Sequence, residues 1–448
     1  MSAIALLYPE APDMARFREG RKEFPPFGVL YLAAAAEAAG HRVELHAVAR
    51  DEGPLDLREF DVIGFSLASS ATYGTMLRCR RDALLSDSAL TLVGGVHANF
   101  YPEASLREFA VDAVAENTDE DIFLRCLDCT GSPERLAAIP GMWTRGSEGE
   151  PVAPATASVL RKGRLEELPF PARHLLPVDD VIMSDRLAGT DLRMAHIMLS
   201  RGCPFPCNFC AAARGTFQWR SGASARAELV HLKETYGIEG FAIVDDNFII
   251  NRKVVREVCE HIADLGLKWS ALSRVDAVDR DLLQVMKDAG CIELKFGVES
   301  GSARILHRMN KGAGVNPDVI KAAIRAAAGV GIGVKAFVIH GFPGEDHDST
   351  TETIALLDEL APCIDRVAVF RFVPLPGTYV FRNPAEFALR GVTADGPANG
   401  RWETFHIHHN DAHWWGTQEQ FDEVCAAHAR LTTFVAARWP DAHAMTVA

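Results

Sequence analysis

What this sequence lacks narrows it before any motif is read. No stretch approaches the roughly 18 to 20 uninterrupted apolar residues that a membrane-crossing helix needs. Even the alanine-rich run 32–39 is broken by Glu37. The N-terminus, MSAIALLYPE, has neither a basic region nor a cleavage site, so a cytoplasmic protein with no membrane partner is expected. Basic residues are in deficit, 46 Lys and Arg against 60 Asp and Glu, for a net charge of −14. That argues against nucleic acid, whose binding is driven by neutralising phosphates with Lys and Arg. It is compatible with a cationic small-molecule substrate, and equally with an acidic surface that only keeps the chain in solution. Cysteine is scarce, ten in 448 residues, too few for a disulfide scaffold. In a reducing compartment a tight cysteine cluster reads as a metal site. Internal repeats and low-complexity tracts are missing as well.

What is present is alternation. In the first 130 residues short apolar strands (3–8, 43–47, 61–66, 90–93, 111–115) alternate with helical spacing at 27–39, 72–85 and 119–127. Strand-helix alternation implies a parallel sheet covered on both faces. Residues 1–138 are therefore expected to form a doubly wound domain, with ligands beyond the carboxyl ends of its strands. Those ends carry Ser66 to Ser70 and the turn Gly94-Gly95 with His97. Prolines at 140, 151, 154, 169, 171 and 177 mark 139–191 as a linker, with room for a small hairpin. A second series has strands at 196–200, 240–245, 268–273, 291–297, 333–339 and 365–371. Six parallel strands close only part of a barrel, so the fold class is α/β, a doubly wound domain followed by a partial (β/α)6 TIM barrel over 192–380. Residues 381–448 are left as a C-terminal lid or helical region. Barrel chemistry sits at the carboxyl ends of the strands, and the motifs of this chain fall there.

After the first barrel strand comes Ser200-Arg201-Gly202-Cys203-Pro204-Phe205-Pro206-Cys207-Asn208-Phe209-Cys210. Three soft thiolates suit an iron–sulfur cluster or zinc, and structural zinc wants a fourth donor. His196 and Cys259 are the loosely placed candidates for it. A cubane held by three cysteines instead keeps one iron open to an outside ligand.

Cys-x3-Cys-x2-Cys after the first strand of a partial barrel resembles the radical S-adenosylmethionine (SAM) superfamily. The resemblance implies that Cys203, Cys207 and Cys210 hold a [4Fe–4S] cluster whose open iron takes the amino and carboxylate groups of SAM. An electron from an external donor then cleaves SAM to a 5′-deoxyadenosyl radical. Later strand ends carry the match further. Asp245 and Asp246 stand where the superfamily contacts the SAM ammonium, with a helix N-cap as the structural alternative. Arg274 suits the methionine carboxylate, with a salt bridge to Asp276 as its alternative. Gly297-Val298-Glu299-Ser300 resembles a SAM-contacting element, making Glu299 and Ser300 cofactor candidates. On the same strand Glu293 and Lys295 share a face with 297 and 299, and an inward face would make them an ion pair near the chemistry. His340-Gly341-Phe342-Pro343-Gly344 resembles the element beside adenine. Gly341 lets backbone approach a ligand, and His340 is either a substrate contact or proton donor or a structurally bonded histidine.

The N-terminal domain resembles a cobalamin-binding domain through Pro25-Pro26-Phe27-Gly28, Asp61-Val62-Ile63-Gly64 and Gly94-Gly95-Val96-His97-Ala98. No Asp-x-His-x-x-Gly segment is present, and Ala115-Glu116-Asn117-Thr118 departs from the Gly-Glu-Gly-Glu of that branch. Cobalamin is accordingly left open. Most of the branch transfers methyl groups. In overall plan the chain is similar to the radical diol dehydratases of aminoglycoside antibiotic biosynthesis, such as that of the apramycin pathway. That resemblance implies dehydration of a cationic amino sugar, paromamine-like, with a separate NADPH-dependent reductase to finish. The aromatic and histidine-rich stretch 404–415, with Asp411, would then close over a sugar. The alternatives are a cobalamin-dependent methyltransferase and a zinc-bound, non-catalytic protein.

Overall fold

The structure is a computed structural model. It describes residues 1–10, 25–50, 53–117, 119–158, 163–165, 168–187, 190–393, 395–405 and 412–440. The chain divides into two compact units, one of Met1–Arg161, Glu167–Val181 and Gly400–Phe405, the other of Lys162–Glu166, Ile182–Asn399 and His406–Ala448.

The first unit runs β1 (Ala3–Pro9), α1 (Phe27–Ala38), β2 (Arg42–Val48), β3 (Val62–Ser66), α2 (Tyr73–Asp82), β4 (Leu90–Gly94), α3 (Val96–Phe100), α4 (Pro102–Phe109), β5 (Ala113–Ala115), α5 (Glu120–Leu127), β6 (Met142–Arg145), β7 (Pro151–Val152) and α6 (Val178–Val181). Its sheet has the order β2-β1-β3-β4-β5-β6-β7. The first five strands are parallel and β6 and β7 add an antiparallel edge. Because helices cover both faces of a doubly wound sheet, its strands are apolar nearly throughout. Ile4, Leu6, Val43, Val62, Leu90, Leu92 and Ala113 form one core with Val29, Ala33 and Ala36 of α1 and Ile122 and Phe123 of α5. Four alanines among the buried residues of α1 let that helix lie close on the strands.

The proline-rich stretch read as a linker holds a small hairpin, as expected, and that hairpin joins the first sheet instead of standing apart from it. Residues 142–145 and 151–152 are strands of the first sheet. Pro151 lies on the outermost strand, the one place where a missing N–H costs a sheet no ladder bond.

The second unit holds β8 (Gly163–Arg164), β9 (Ile182–Leu187), β10 (Thr190–Ile197), β11 (Ser200–Arg201), β12 (Gln218–Trp219), α7 (Gly222–Tyr236), β13 (Gly240–Ile243), α8 (Arg252–Ile262), β14 (Lys268–Arg274), α9 (Arg280–Asp288), β15 (Cys291–Glu299), α10 (Ala303–Arg308), α11 (Pro317–Gly329), β16 (Gly333–His340), α12 (His347–Leu360), β17 (Arg366–Arg371), α13 (Tyr379–Arg382), the two-residue strands β18 (Val392–Thr393) and β19 (Gly396–Pro397), and α14 (Gln418–Arg438). The large sheet has the order β17-β16-β15-β14-β13-β10-β9. Six strands are parallel, β9 pairs antiparallel with β10, and β9 and β17 remain edges, so the barrel is partial. The first barrel strand starts at 190, earlier than its apolar signal at 196, because the hairpin with β9 extends it through polar Thr190 and Asp191. Helix ends are capped by short polar side chains, Ser221 on α7, Asn251 on α8, Asp279 on α9 and Asp346 on α12. Each satisfies an N–H that would otherwise be orphaned at the amino end. C-terminal helix α14 packs on α12. Among the described residues no helix is long and apolar enough to cross a membrane.

Candidate active site

The thiol loop is held at its base by a small sheet. β11 pairs antiparallel with β12, and β12 parallel with β8, so 202–217 is a closed excursion from the strand end. Gly202 has φ +75, and a Cβ there would strike the Thr216 carbonyl, so the turn depends on glycine. Inside the loop Gly215 N–H donates to Cys203 O at 2.8 Å and Arg214 N–H to Phe205 O at 3.1 Å. Asn208 N–H reaches Met309 O at 2.9 Å, and Asn310 Nδ2 donates to Pro206 O at 3.0 Å. Behind the loop, Arg220 forms a fully buried ion pair with Glu228 of α7 and donates to Ser224 Oγ at 3.1 Å.

Cys203, Cys207 and Cys210 all line one cavity of about 350 Å3 at the carboxyl ends of the barrel strands. Burial pushes the Cys203 thiol up and Cys210 up to about 12. Both would stay protonated at neutral pH until a metal took the proton's place.

Each strand end contributes to the wall. β13 leads into Asp245-Asp246-Asn247, and the two carboxylates divide. Asp246 lines the cavity, its carboxyl raised by burial and opposed by the Gly202 backbone N–H. Asp245 turns away into the protein, 2% exposed. It accepts from Leu199 N–H at 2.8 Å and Ser200 Oγ at 2.6 Å, and burial raises it to about 7. The expectation that both face the cofactor is corrected for Asp245, which ties the thiol loop's root to β13. Asn247 caps the following turn through its Oδ1, while its buried Nδ2 has no partner among the described residues and the residue lines the cavity.

Arg274 at the end of β14 lines the cavity, but its guanidinium is committed. Nε and Nη2 donate to the two oxygens of Asp276 at 2.9 and 2.8 Å, and Nη1 donates to Cys207 Sγ at 3.4 Å. Nη2 also donates to Lys311 O, and the group lies 4.0 Å over the Phe205 ring. A bidentate grip on a methionine carboxylate would have to displace Asp276. The geometry makes Arg274 a clamp between β14 and the cysteine loop.

Glu299 closes β15 at φ +63, just after a register shift against β16. A left-handed non-glycine residue costs of order 1 kcal/mol or more and gathers at functional sites. Here it aims the carboxylate at the buried ammonium of Lys311, and the two form an ion pair inside the cavity wall. Gly297 makes room, since a Cβ there would meet both Glu299 Oε1 and Lys311 Nζ. Lys311 also lies 5.8 Å from the Phe209 ring. Acidic and basic groups on one wall suit a zwitterionic amino acid. Lys311 follows a short helix in a loop without periodicity, and sequence reasoning missed it; the Lys-Gly that ends Met309-Asn310-Lys311-Gly312 was its only signal.

Other expected site residues lie elsewhere. Ser300 is buried behind the wall, its hydroxyl 3.3 Å from Thr353 Oγ1 and accepting from Ser302 N–H at 3.1 Å. Glu293 pairs with Arg366 of β17, not with Lys295. Glu293 sits toward the amino end of β15 and Lys295 at its middle, and neither lines the cavity. Depth along a strand has no sequence signal. His340 is 1% exposed and lies outside the cavity lining. Its Nε2 is 3.0 Å from Thr350 Oγ1, and since that hydroxyl donates to Asp346 O, the ring donates to the threonine. Gly341 has φ +85, its N–H donates to buried Glu345, and its carbonyl accepts from Trp415 Nε1 at 2.7 Å. It anchors the C-terminal segment instead of lining the cavity. Of the expected sugar-closing stretch, Trp414 and Trp415 pack beside Gly341 and Phe421. Asp411 and residues 406–410 lie outside the described residues.

The donor set fits a cluster better than a single ion. Among the described residues no three His, Cys, Asp or Glu side chains come together to hold one metal ion, and neither His196 nor Cys259 lines the cavity. The first unit answers differently for a corrinoid. Beyond the ends of β3 and β4 the space is taken by the rings of Tyr73, His97, Tyr101 and Trp402. As they stand, those residues do not fit one.

Comparison with known proteins agrees with this division of the chain. Residues 197–357 match the radical SAM superfamily and residues 17–127 the B12 binding domain. An uncharacterized methyltransferase of Pyrococcus horikoshii is 29% identical over 369 residues, 79% of this chain and 77% of that one. Cytidylyl-2-hydroxyethylphosphonate methyltransferase of Streptomyces wedmorensis is 26% identical over 84% of this chain and 83% of its own. In fold the chain is similar to the radical SAM methyltransferase TsrM of Kitasatospora setae, solved with cobalamin and a [4Fe–4S] cluster. The TM-score is 0.70 over 97% of this chain and 89% of that one, at 16% identity. With three cysteines on the strand-end cavity of a partial barrel, the chain carries a radical SAM domain, preceded by a domain that matches the B12 binding domain.

Proposed function

We propose that this chain is a radical SAM enzyme that takes a hydrogen atom from a small organic substrate and completes the reaction by placing on that carbon the methyl group of a second SAM, which leaves as S-adenosylhomocysteine, with the two electrons required coming from an external donor. The observation that carries the first half is the convergence of Cys203, Cys207, Cys210, Asp246, Glu299 and Lys311 on one cavity. At about 350 Å3 the space lies within the range of small-molecule sites, about 300 to 1,000 Å3. A [4Fe–4S] cluster with SAM on its open iron supplies, when bound, one-electron cleavage to a 5′-deoxyadenosyl radical, the electron coming from an external donor.

The chain's own residues do the rest. Asp246 and Glu299 present carboxylates to the methionine ammonium and Lys311 its ammonium to the carboxylate. Arg274, locked on Asp276, fixes the cysteine loop and places positive charge beside Cys207. Leu272, Phe337, Ile339 and Phe370 make the cavity's inner wall apolar, which keeps water from a reactive radical. Methyl transfer is supported by the names of the two relatives, each of which aligns with more than three-quarters of this chain.

The filled strand ends of the first unit favour a second reading, radical dehydration of a cationic amino sugar of the paromamine type. Loss of hydrogen from a carbon bearing hydroxyl makes that hydroxyl more acidic; losing its proton expels the neighbouring hydroxide. One electron and one proton then give a deoxy-ketone, which a separate NADPH-dependent reductase would consume.

The test is anaerobic reconstitution with iron and sulfide, with hydroxocobalamin offered, then SAM, a chemical reductant and candidate substrates, with products counted by mass spectrometry. Methyl transfer gives S-adenosylhomocysteine and 5′-deoxyadenosine together. Dehydration gives 5′-deoxyadenosine without S-adenosylhomocysteine. Iron-loaded protein that forms no 5′-deoxyadenosine under any of these conditions sinks both.

A further inference from the structure

The strand ends of the first sheet hold a second cluster of chemistry-bearing side chains, and one of its members comes from far along the chain. A doubly wound sheet takes its ligand beyond the carboxyl ends of its strands. Here β3 and β4 end side by side, Leu67 N–H donating to Gly94 O at 2.7 Å and His97 N–H to Leu67 O at 3.0 Å. Gly95 turns at φ +107 with the Leu67 backbone so near that a Cβ would meet it at 2.8 Å. Ser70 Oγ lies 2.8 Å from His97 Nδ1. Over this floor sits Trp402, on a short turn of the segment Gly400–Phe405, which belongs to the first unit. Its ring centroid is 4.4 Å from that of Tyr101, 4.6 Å from His97 and 6.1 Å from Tyr73, and the residue is only 4% exposed. An indole is a flat, fused five- and six-membered ring system, as is the benzimidazole that ends the nucleotide arm of cobalamin. The side chain therefore offers the strand ends an intramolecular substitute for that base.

We infer that Gly400–Phe405 is a plug and Trp402 its stopper: the indole occupies the seat of a corrinoid's benzimidazole, and cobalamin enters this domain only when the plug withdraws. A ligand that must wait for a minor open state loses apparent affinity in proportion to that state's population. The inference rests on the B12-domain match and on Trp402, not on the radical chemistry. Its readout, bound corrinoid, can therefore fail while SAM cleavage succeeds, and the reverse.

The full chain, reconstituted with its cluster, is titrated with hydroxocobalamin and separately with cobinamide, which lacks the nucleotide arm. The bound fraction is read from the visible absorbance after gel filtration. Trp402→Ala is expected to bind hydroxocobalamin about tenfold or more tightly than the unaltered chain, with cobinamide binding unchanged. Trp402→Leu, which keeps an apolar side chain in the seat but removes the fused ring, serves as the second variant should the alanine substitution unfold the domain. It is expected to show the same preference at smaller size. Three results would overturn the inference: a variant that binds cobalamin no more tightly than the unaltered chain, one that binds it more weakly, or a gain for cobinamide equal to that for cobalamin.

Discussion

The two parallel sheets of this chain end in opposite ways. At the carboxyl edge of the barrel the side chains stand back from a cavity of about 350 Å3, and its wall carries thiols, carboxylates and an ammonium. At the carboxyl edge of the first sheet four rings close on one another, and the polar group at their centre, His97, is 1% exposed. Both edges obey the rule that places ligands beyond strand ends. What differs is what the strands end in. Glycine at 297 and a left-handed residue at 299 make room in the barrel wall for the Glu299–Lys311 pair. In the first sheet, Gly95 lets two backbones close up, and a distant tryptophan covers the remainder. A domain's fold thus says where a ligand would go, and the residues at the strand ends say whether there is room.

The largest break in that comparison comes from the cysteines. Cys203→Ala, Cys207→Ala or Cys210→Ala removes one of the three proposed cluster ligands. Each should abolish 5′-deoxyadenosine formation and iron retention together, measured by product chromatography and iron analysis. A variant that keeps both would show that the cluster is held elsewhere. Next comes the ion pair in the cavity wall. Lys311→Met leaves Glu299 buried without its partner, a loss of about 3–5 kcal/mol, visible as a fall in the melting temperature. It should also weaken SAM binding about 10- to 100-fold, the worth of one hydrogen bond to a charged group, about 1.5–3 kcal/mol. Lys311→Arg should restore the stability more fully than the binding, because a guanidinium keeps the charge but not the point geometry.

In the other sheet the expectation inverts. Trp402→Ala empties a packed aromatic site and should cost about 3–5 kcal/mol of the first unit's stability. The rate of 5′-deoxyadenosine formation should stay within about twofold of that of the unaltered chain. A large fall in that rate with the iron content intact would mean that the two edges are functionally coupled, and that the contrast drawn between them is too sharp.

Much of this was legible in the residues, and the parts that were not share a cause. Strand-helix alternation, the thiol spacing and the glycines at strand ends are local patterns, and they located the sheets, the cluster loop and the cavity rim. Which of two neighbouring carboxylates turns inward is not local. Asp245 and Asp246 differ because Leu199 and Ser200, on another strand, claim the first of them. Glu293 found Arg366 across the single intervening strand β16, beyond reach of any spacing argument. Lys311 and Trp402 entered their sites from irregular segments with no period to mark them. Pro151 misled in the opposite direction, since the residue that breaks an inner strand is harmless on an outer one.

The smallest predicted effect compares one histidine from each edge. His97 and His340 are both buried near strand ends, and burial lowers each from 6.5 to about 3. For His340 the neighbouring His428, Arg371 and Arg430 act in the same direction. Between those two pH values the unfolded chain binds a proton that the folded chain refuses, so stability falls as pH is lowered from 6.5 towards 3 and is flat above that window. Removing either ring should flatten this acid limb. For His340→Gln we expect about 1 kcal/mol lost at pH 8, the worth of the bond to Thr350, offset by a shallower decline in urea-unfolding stability towards pH 4. His97→Gln should behave alike, losing the contact with Ser70 Oγ. Neither substitution should introduce or remove a limb in the pH profile of 5′-deoxyadenosine formation between pH 6.5 and 8.5, because neither ring changes charge there. If His340→Gln did remove such a limb, the ring would be exchanging protons with the chemistry, and its place behind the cavity wall would not describe its working state.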